Sequence, residues 1–258
     1  MNRWVAFSPL VSLTPEQVRT HWTRLHGGDA EPLPASDAVL QAWTLFHRGD
    51  FENAYQTGVA LNERQEPAGL TVAIRALSVY ATYLEPRSVH REQWLEQAQV
   101  LAGQHTQSQP DNPNAWYLLA YSLGRHAQSL SVTKSLALGL GRRTREALDK
   151  TLSLNPQHAD AHLALATFNA EVIDKVGEVV GAVTYGASKS HALALYDRAA
   201  ELNPGSLVGM LETARGLMML DPEHQQARAD RLYQQLRVAR TLDALEALIV
   251  GLANTTDD

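Results

Sequence analysis

Three stretches of the sequence carry residue types that could do chemistry. In His158-Ala-Asp160-Ala-His162 two imidazoles stand at i and i+4 with a carboxylate between them. On a helix that spacing puts both rings on one face, where they could hold a metal ion. Asp160 points elsewhere on the same helix, and no Glu follows the first His as a general base. A solvated pair near a helix start accounts for these residues, and no metal is assigned. In Gly139-Leu-Gly141-Arg142-Arg143-Thr144, glycines and two arginines meet a helix start, a combination that suits a phosphate. No apolar strand leads into it, and the Gly-Lys-Thr/Ser ending of a P-loop is missing. A hairpin turn with a basic rim explains it equally well. The third stretch, Val176 to Gly186, is apolar and rich in glycine. Gly177 and Gly181, one turn apart, would let helices approach closely. With Val183 and Tyr185, and with Gly139 and Gly141 of the other tip, they would mark an interface or a ligand cavity, or pack on the matching stretch Ser131 to Leu140 of the same chain.

Nothing else offers catalytic chemistry. There is no Ser/His/Asp order, no paired-carboxylate motif and no dinucleotide fingerprint, so neither an enzyme nor a cofactor is expected. The chain has no Cys, which excludes disulfides, thiolate metal sites and a cysteine nucleophile. Its net charge of −6 argues against a nucleic-acid surface. The apolar run in Met1 to Val11 is too short for a signal peptide, and no run approaches the ~18 apolar residues of a membrane-spanning helix. A soluble, cytoplasmic protein without membrane insertion is expected.

The elements that must position these residues are helical. Ala, Leu, Gln, Glu and Arg outweigh β-branched residues, which favours an all-α fold. Ser12–Thr14 with Pro15 opens a first helix bearing Val18, Trp22 and Leu25. Asp29 to Pro34 reads as a linker, which divides the chain into an N-terminal helix and linker (1–34) and a helical domain (35–258). Val39, Leu40, Trp43 and Phe46 mark the next helix. The turn Arg48-Gly49-Asp50-Phe51 follows, then Ala54 and Leu61 on its partner. Leu70 to Leu84 and Ser88 to His105 form a looser pair. Ser206 to Leu220 pairs with a helix begun by Asp221-Pro222 and carrying Ala227, Leu232 and Leu236. Leu242 to Leu252 is a last helix with Leu245, Leu248 and Ile249 inward, and Asn254 to Asp258 a frayed tail.

Between Asn114 and Pro204 one helix-pair pattern is written twice, each copy closed by Asn-Pro: Asn155–Pro156 and Asn203–Pro204. Ala192, Tyr196 and Ala199 share one helical face before the second. Trp116, Leu119, Ala120 and Leu123 keep the offsets of the tetratricopeptide signature. Pro156 to Pro204 is well over the ~34 residues of an ordinary unit. The excess falls at the same place in both copies, Ser129 to Gly141 and Asp174 to Gly186. It reads as hairpins lengthened by about two turns per helix, with their tips side by side.

These residues resemble the tetratricopeptide-repeat superfamily over most of Ala35 to Leu236. More narrowly, the chain is similar to the regulator-of-microtubule-dynamics group. It also resembles the T-component of bacterial TRAP transporters, which pairs with a periplasmic substrate-binding protein. The resemblance implies a right-handed superhelix of about five antiparallel helix pairs, with the central hairpins elongated. Its concave face, lined by first helices, would take a protein or peptide, and self-association is an open alternative. Mapped onto that face are Asn114, Tyr117, Tyr121 and Arg125, then Asp160, Leu163, Thr167 and Glu171, then Val208, Leu211 and Arg215. Tyr117 and Tyr121 stand where chaperone-binding repeats carry Lys and Asn, so a chaperone-tail adaptor is not expected. Two tyrosines with an arginine one turn on could bind a flat or anionic group, or could merely pack on the next helix. The alternative function is a small-ligand or transport accessory using a cavity between the central hairpins.

Overall fold

The computed structural model describes residues 4–7 and 11–255, and among these every regular element is an α-helix. Parts of the N-terminal apolar run, and the end of the expected tail beyond Thr255, lie outside the described residues. The helices are α1 (Pro15–Thr20), α2 (Trp22–Leu25), α3 (Asp37–Arg48), α4 (Phe51–Glu63), α5 (Ala68–Tyr83), α6 (Ser88–Ser108), α7 (Pro113–Ser129) and α8 (Val132–Ala137). They continue with α9 (Leu140–Leu154), α10 (Ala159–Val176), α11 (Glu178–Tyr185), α12 (Lys189–Leu202), α13 (Leu207–Leu220), α14 (Pro222–Arg237) and α15 (Ala244–Thr255).

The chain forms two compact units. The first holds the described residues of Met1–His26 with Glu31–Leu154 and Asp243–Leu245; the second holds Gly27–Ala30, Asn155–Leu242 and the described residues of Glu246–Asp258. Asp29 to Pro34 is no loose linker. Trp22 Nε1 donates to the Glu31 carbonyl at 2.7 Å, and Asp29 and Glu31 are buried.

Local signals place most helix ends. Thr14 and Gln17 form a reciprocal capping box with Pro15 at the first position of α1. The helix then breaks at His21, so the expected stripe is shared between α1 and α2. Gly49 closes α3 at φ +90°, a left-handed conformation that a side chain resists, and Asp50 caps α4 through the Asn53 N–H. Ser206 caps α13, and Asp221 caps α14, with Pro222 at the first position of α14.

In the first unit α3 packs on α4, α4 on α5, α5 on α6, α6 on α7 and α7 on α9; α3, α5 and α7 also touch in succession. Val39, Leu40, Trp43, Phe46, Ala54 and Leu61 are all buried, as their spacing required. At the α4/α5 crossing the two backbones approach closely. A Cβ built on Gly58 would stand 2.5 Å from the Gly69 carbonyl, and one on Gly69 2.4 Å from the Gly58 carbonyl. Trp4 is wedged among Tyr55, Tyr80 and Trp94, with centroids at 5.7, 4.2 and 5.0 Å.

In the second unit α10 packs on α12 and α13, and α13 on α14. Ala192, Tyr196 and Ala199 are buried at 0, 0 and 6% exposure. Tyr196 fills the space over Gly216, where a Cβ would lie 1.8 Å from its hydroxyl. One residue of α14 was misplaced: Ala227 is exposed, and Ala229 joins Ala214 and Leu217 in the core.

The central inserts do not lengthen the hairpins as expected. Each folds as a separate short helix, α8 in one copy and α11 in the other. The reason is visible in the backbone. Leu130 ends α7 in extended geometry and Gly177 ends α10 at φ +83°, so neither first helix can run on.

Candidate functional site

Asn112 starts α7 by accepting from the Asn114 N–H at 2.9 Å, with Pro113 at the first position. From there Asn114, Tyr117, Tyr121 and Arg125 follow at steps of three and four, along one side of the helix. The structure splits this set. Asn114 is buried and gives its amide to Glu31 Oε2 at 2.5 Å, so it anchors the segment after α2. Tyr117 is also largely covered, at 6% exposure, with its ring 6.1 Å from that of Tyr121.

Tyr121 and Arg125 remain partly exposed. The Arg125 guanidinium lies 5.1 Å from the Tyr121 ring centroid and 5.8 Å from that of Tyr83, near the end of α5. Its two terminal nitrogens donate to Tyr83 Oη at 3.3 Å and Gln128 Oε1 at 3.0 Å. A guanidinium held between aromatic rings is fixed in orientation at little entropic cost, because both ring faces attract it. The cluster can stack on a flat group or hydrogen-bond an anion. Tyr83 is the member sequence reading missed. It lies in the looser Leu70 to Leu84 helix, where no motif marks it.

In the second unit, Asp160 is committed to structure. Its N–H donates to the Gly28 carbonyl at 3.0 Å, and its carboxylate covers Gly28 so closely that a Cβ there would lie 2.0 Å from Oδ1. Thr167 accepts from the Tyr196 hydroxyl at 3.3 Å, a bond inside the α10/α12 seam. Burial pushes the pKa of that phenol up. Arg215 lies part-exposed on α13. A groove of about 60 Å³ bordered by Asp160, Leu163, Asn203, Met210 and Leu232 has room for a few waters.

The metal and phosphate readings also acquire positions. His158 is buried, against the expectation of a solvated pair, because it is the N-cap of α10: its Nδ1 accepts from the Ala161 N–H at 3.1 Å. The His162 Nε2 meets the Pro156 carbonyl at 2.9 Å, so the two rings serve different bonds. Gly139 and Gly141 flank the start of α9, where Leu140 is buried and Arg142 pairs with Glu146 at 3.0 Å. Of the three glycines in the other insert, only Gly181 makes a close contact. A Cβ there would lie 2.9 Å from Val172 Cγ1, whereas nothing stands within 4 Å of Gly177. Tyr185 turns back onto Phe168 edge-on at 5.8 Å, and Val183 is 85% exposed.

One buried cluster had no sequence signal. His47 Nδ1 lies 2.8 Å from Asp243 Oδ2, and its Nε2 lies 3.3 Å from His26 Nε2, against Trp22 and Trp43. An Asp–His pair of this kind orients a general base in hydrolases. Here the far nitrogen meets a second imidazole, and the cluster joins three chain segments. Compared with protein-family models and with curated proteins, the chain gives no match.

Proposed function

We propose that this protein is a non-catalytic scaffold of the tetratricopeptide-like kind. Five antiparallel pairs (α3/α4, α5/α6, α7/α9, α10/α12 and α13/α14) wind as a right-handed superhelix, and first helices line the face that takes a protein or peptide. Contacts of α3 with α5, α5 with α7, and α10 with α13 support the repeat reading, since stacked repeats bury first helix against first helix. The observation that carries the function is the Tyr83–Arg125–Tyr121 stack. It joins two successive first helices and leaves partly exposed aromatic and guanidinium surface of the kind enriched at binding hot spots.

The test is capture by the immobilised full chain from native lysate, followed by mass spectrometry. Tyr121→Ala with Arg125→Ala should remove the captured partner while circular dichroism keeps the parent's helical content. A partner retained at parental levels would overturn this assignment of the surface.

A further inference from the structure

The segment between α7 and α9 is built unlike the rest of the first unit. No residue of α8 is buried, and the helix packs chiefly on α9. Ser131 caps it by accepting from the Lys134 N–H at 3.3 Å, so the segment is an ordered turn of helix. Its apolar side chains nevertheless face water: Val132, Leu136 and Leu138 are 39, 51 and 47% exposed. Such a cluster in a folded chain calls for something to cover it.

Within the segment itself the charge has one sign. From Asn112 to Arg145 there is no Asp or Glu, in a chain whose net charge is −6. Lys134 sits on the tip itself, and Arg142 and Arg143 are exposed on the first turn of α9. The acids paired with this group are Glu92 on α6, 2.7 Å from Lys134, and Glu146, 3.0 Å from Arg142. Glu92 lies on the neighbouring helix, and Glu146 lies one turn beyond Arg142 on α9. Exposed pairs of this kind hold their cations weakly.

We propose that this tip docks the protein on an anionic lipid surface. Val132, Leu136 and Leu138 enter the boundary between headgroups and acyl chains, and Lys134, Arg142 and Arg143 meet the lipid phosphates. Aliphatic side chains bordered by cations on a short protruding helix are suited to such an interface. Of the residue types enriched at protein interfaces, residues 129–143 contain Arg142 and Arg143 but no Trp, Tyr, Phe or Met to fill a partner's pocket. The apolar tip of α11 does not qualify. Val179, Val180 and Val183 are open there at 79, 53 and 85%, but the stretch itself carries only Glu178, and the flanking Lys175 and Lys189 pair with Glu171 and Asp221. Attachment is peripheral, as no helix among the described residues is long and apolar enough to cross a membrane.

The experiment is cosedimentation of the full chain with phosphatidylcholine vesicles, with and without phosphatidylglycerol at about 30 mol %. Binding should require the anionic lipid. Each cation near such a surface strengthens binding about fivefold, so Arg142→Gln with Arg143→Gln should lower the partition coefficient about 25-fold. Leu136→Ser with Leu138→Ser should lower it at least about tenfold, with helical content unchanged. Because the chain has no Cys, Ala137→Cys supplies a single thiol for an environment-sensitive fluorophore, whose emission should shift to the blue on anionic vesicles only. Equal binding to neutral vesicles, undiminished binding of the serine variant, or an unshifted fluorophore would overturn the proposal. So would capture by immobilised polyglutamate in place of vesicles, which would assign the tip to an acidic protein.

Discussion

Gly58→Ala tests the packing of the first unit at the α4/α5 seam. An added Cβ would stand 2.5 Å from the Gly69 oxygen, 2.9 Å from the Ala73 nitrogen and 3.0 Å from the Ala73 Cβ. Ordinary van der Waals contact begins near 3.4 Å, so α4 and α5 must separate by most of an ångström. Two of the three neighbours are backbone atoms, and no rotamer change can relieve them. Overpacking of this kind costs up to about 3 kcal/mol, while Ala gains about 1 kcal/mol over Gly in a helix, leaving a net loss of about 2 kcal/mol. Gly103→Ala is the matched control. Gly103 lies mid-helix in α6 with nothing within 4 Å of its Cβ position. Only the propensity gain of about 1 kcal/mol remains, with opposite sign. The five tryptophans all lie in the first unit, so their fluorescence follows the unit that carries both substitutions. For a slope near 2 kcal/mol per molar urea, the midpoint should fall by about 1 M in Gly58→Ala and rise by about 0.5 M in Gly103→Ala. A midpoint for Gly58→Ala at or above the parent's would refute the close approach of α4 and α5.

Two further perturbations address acid stability and the second unit. Buried Glu85 accepts from Arg87 Nε at 2.7 Å and from the Tyr80 hydroxyl at 3.0 Å, and the Arg87 guanidinium holds its pKa down from 4.5 to about 2. A depressed carboxylate pKa contributes stability above its unfolded value and loses it as pH falls through the folded one, so this contribution should vanish between pH 4.5 and about 2. With Arg87 half exposed, the effect is about 2 kcal/mol. Glu85→Gln should lose that amount at pH 7 and show a flatter acid limb in urea titrations; an unchanged limb would contradict the network. Ala192→Leu places an isobutyl group in the α10/α12 seam, where Ala192 is fully buried, and should destabilise the second unit by about 1–3 kcal/mol. Thermal melts followed by circular dichroism check this, and an unchanged midpoint would remove Ala192 from the seam.

Where helices begin and which side of each is apolar was legible from neighbours a few residues apart. Thr14-Pro15, Gly49-Asp50 and Asp221-Pro222 mark their caps, and Ala192, Tyr196 and Ala199 mark a buried face, because capping and helical periodicity act within one or two turns. The same local logic could not tell which polar residues would be used up by packing. Asn114, Asp160 and Thr167 stand on polar-looking helix faces, yet each is bonded to a segment distant in sequence. Tyr83 and Arg125, 42 residues apart, meet only because α5 and α7 touch in a particular register. His47 and Asp243, 196 residues apart, have no spacing to recognise. Nor did apolar composition show that the two inserts fold as short helices, since extended backbone at Leu130 and positive φ at Gly177 stop the preceding helices. Periodicity gives each helix its inner face. The register between helices, set by side-chain volume across a seam such as Gly58 and Gly69, decides what the remaining faces can touch.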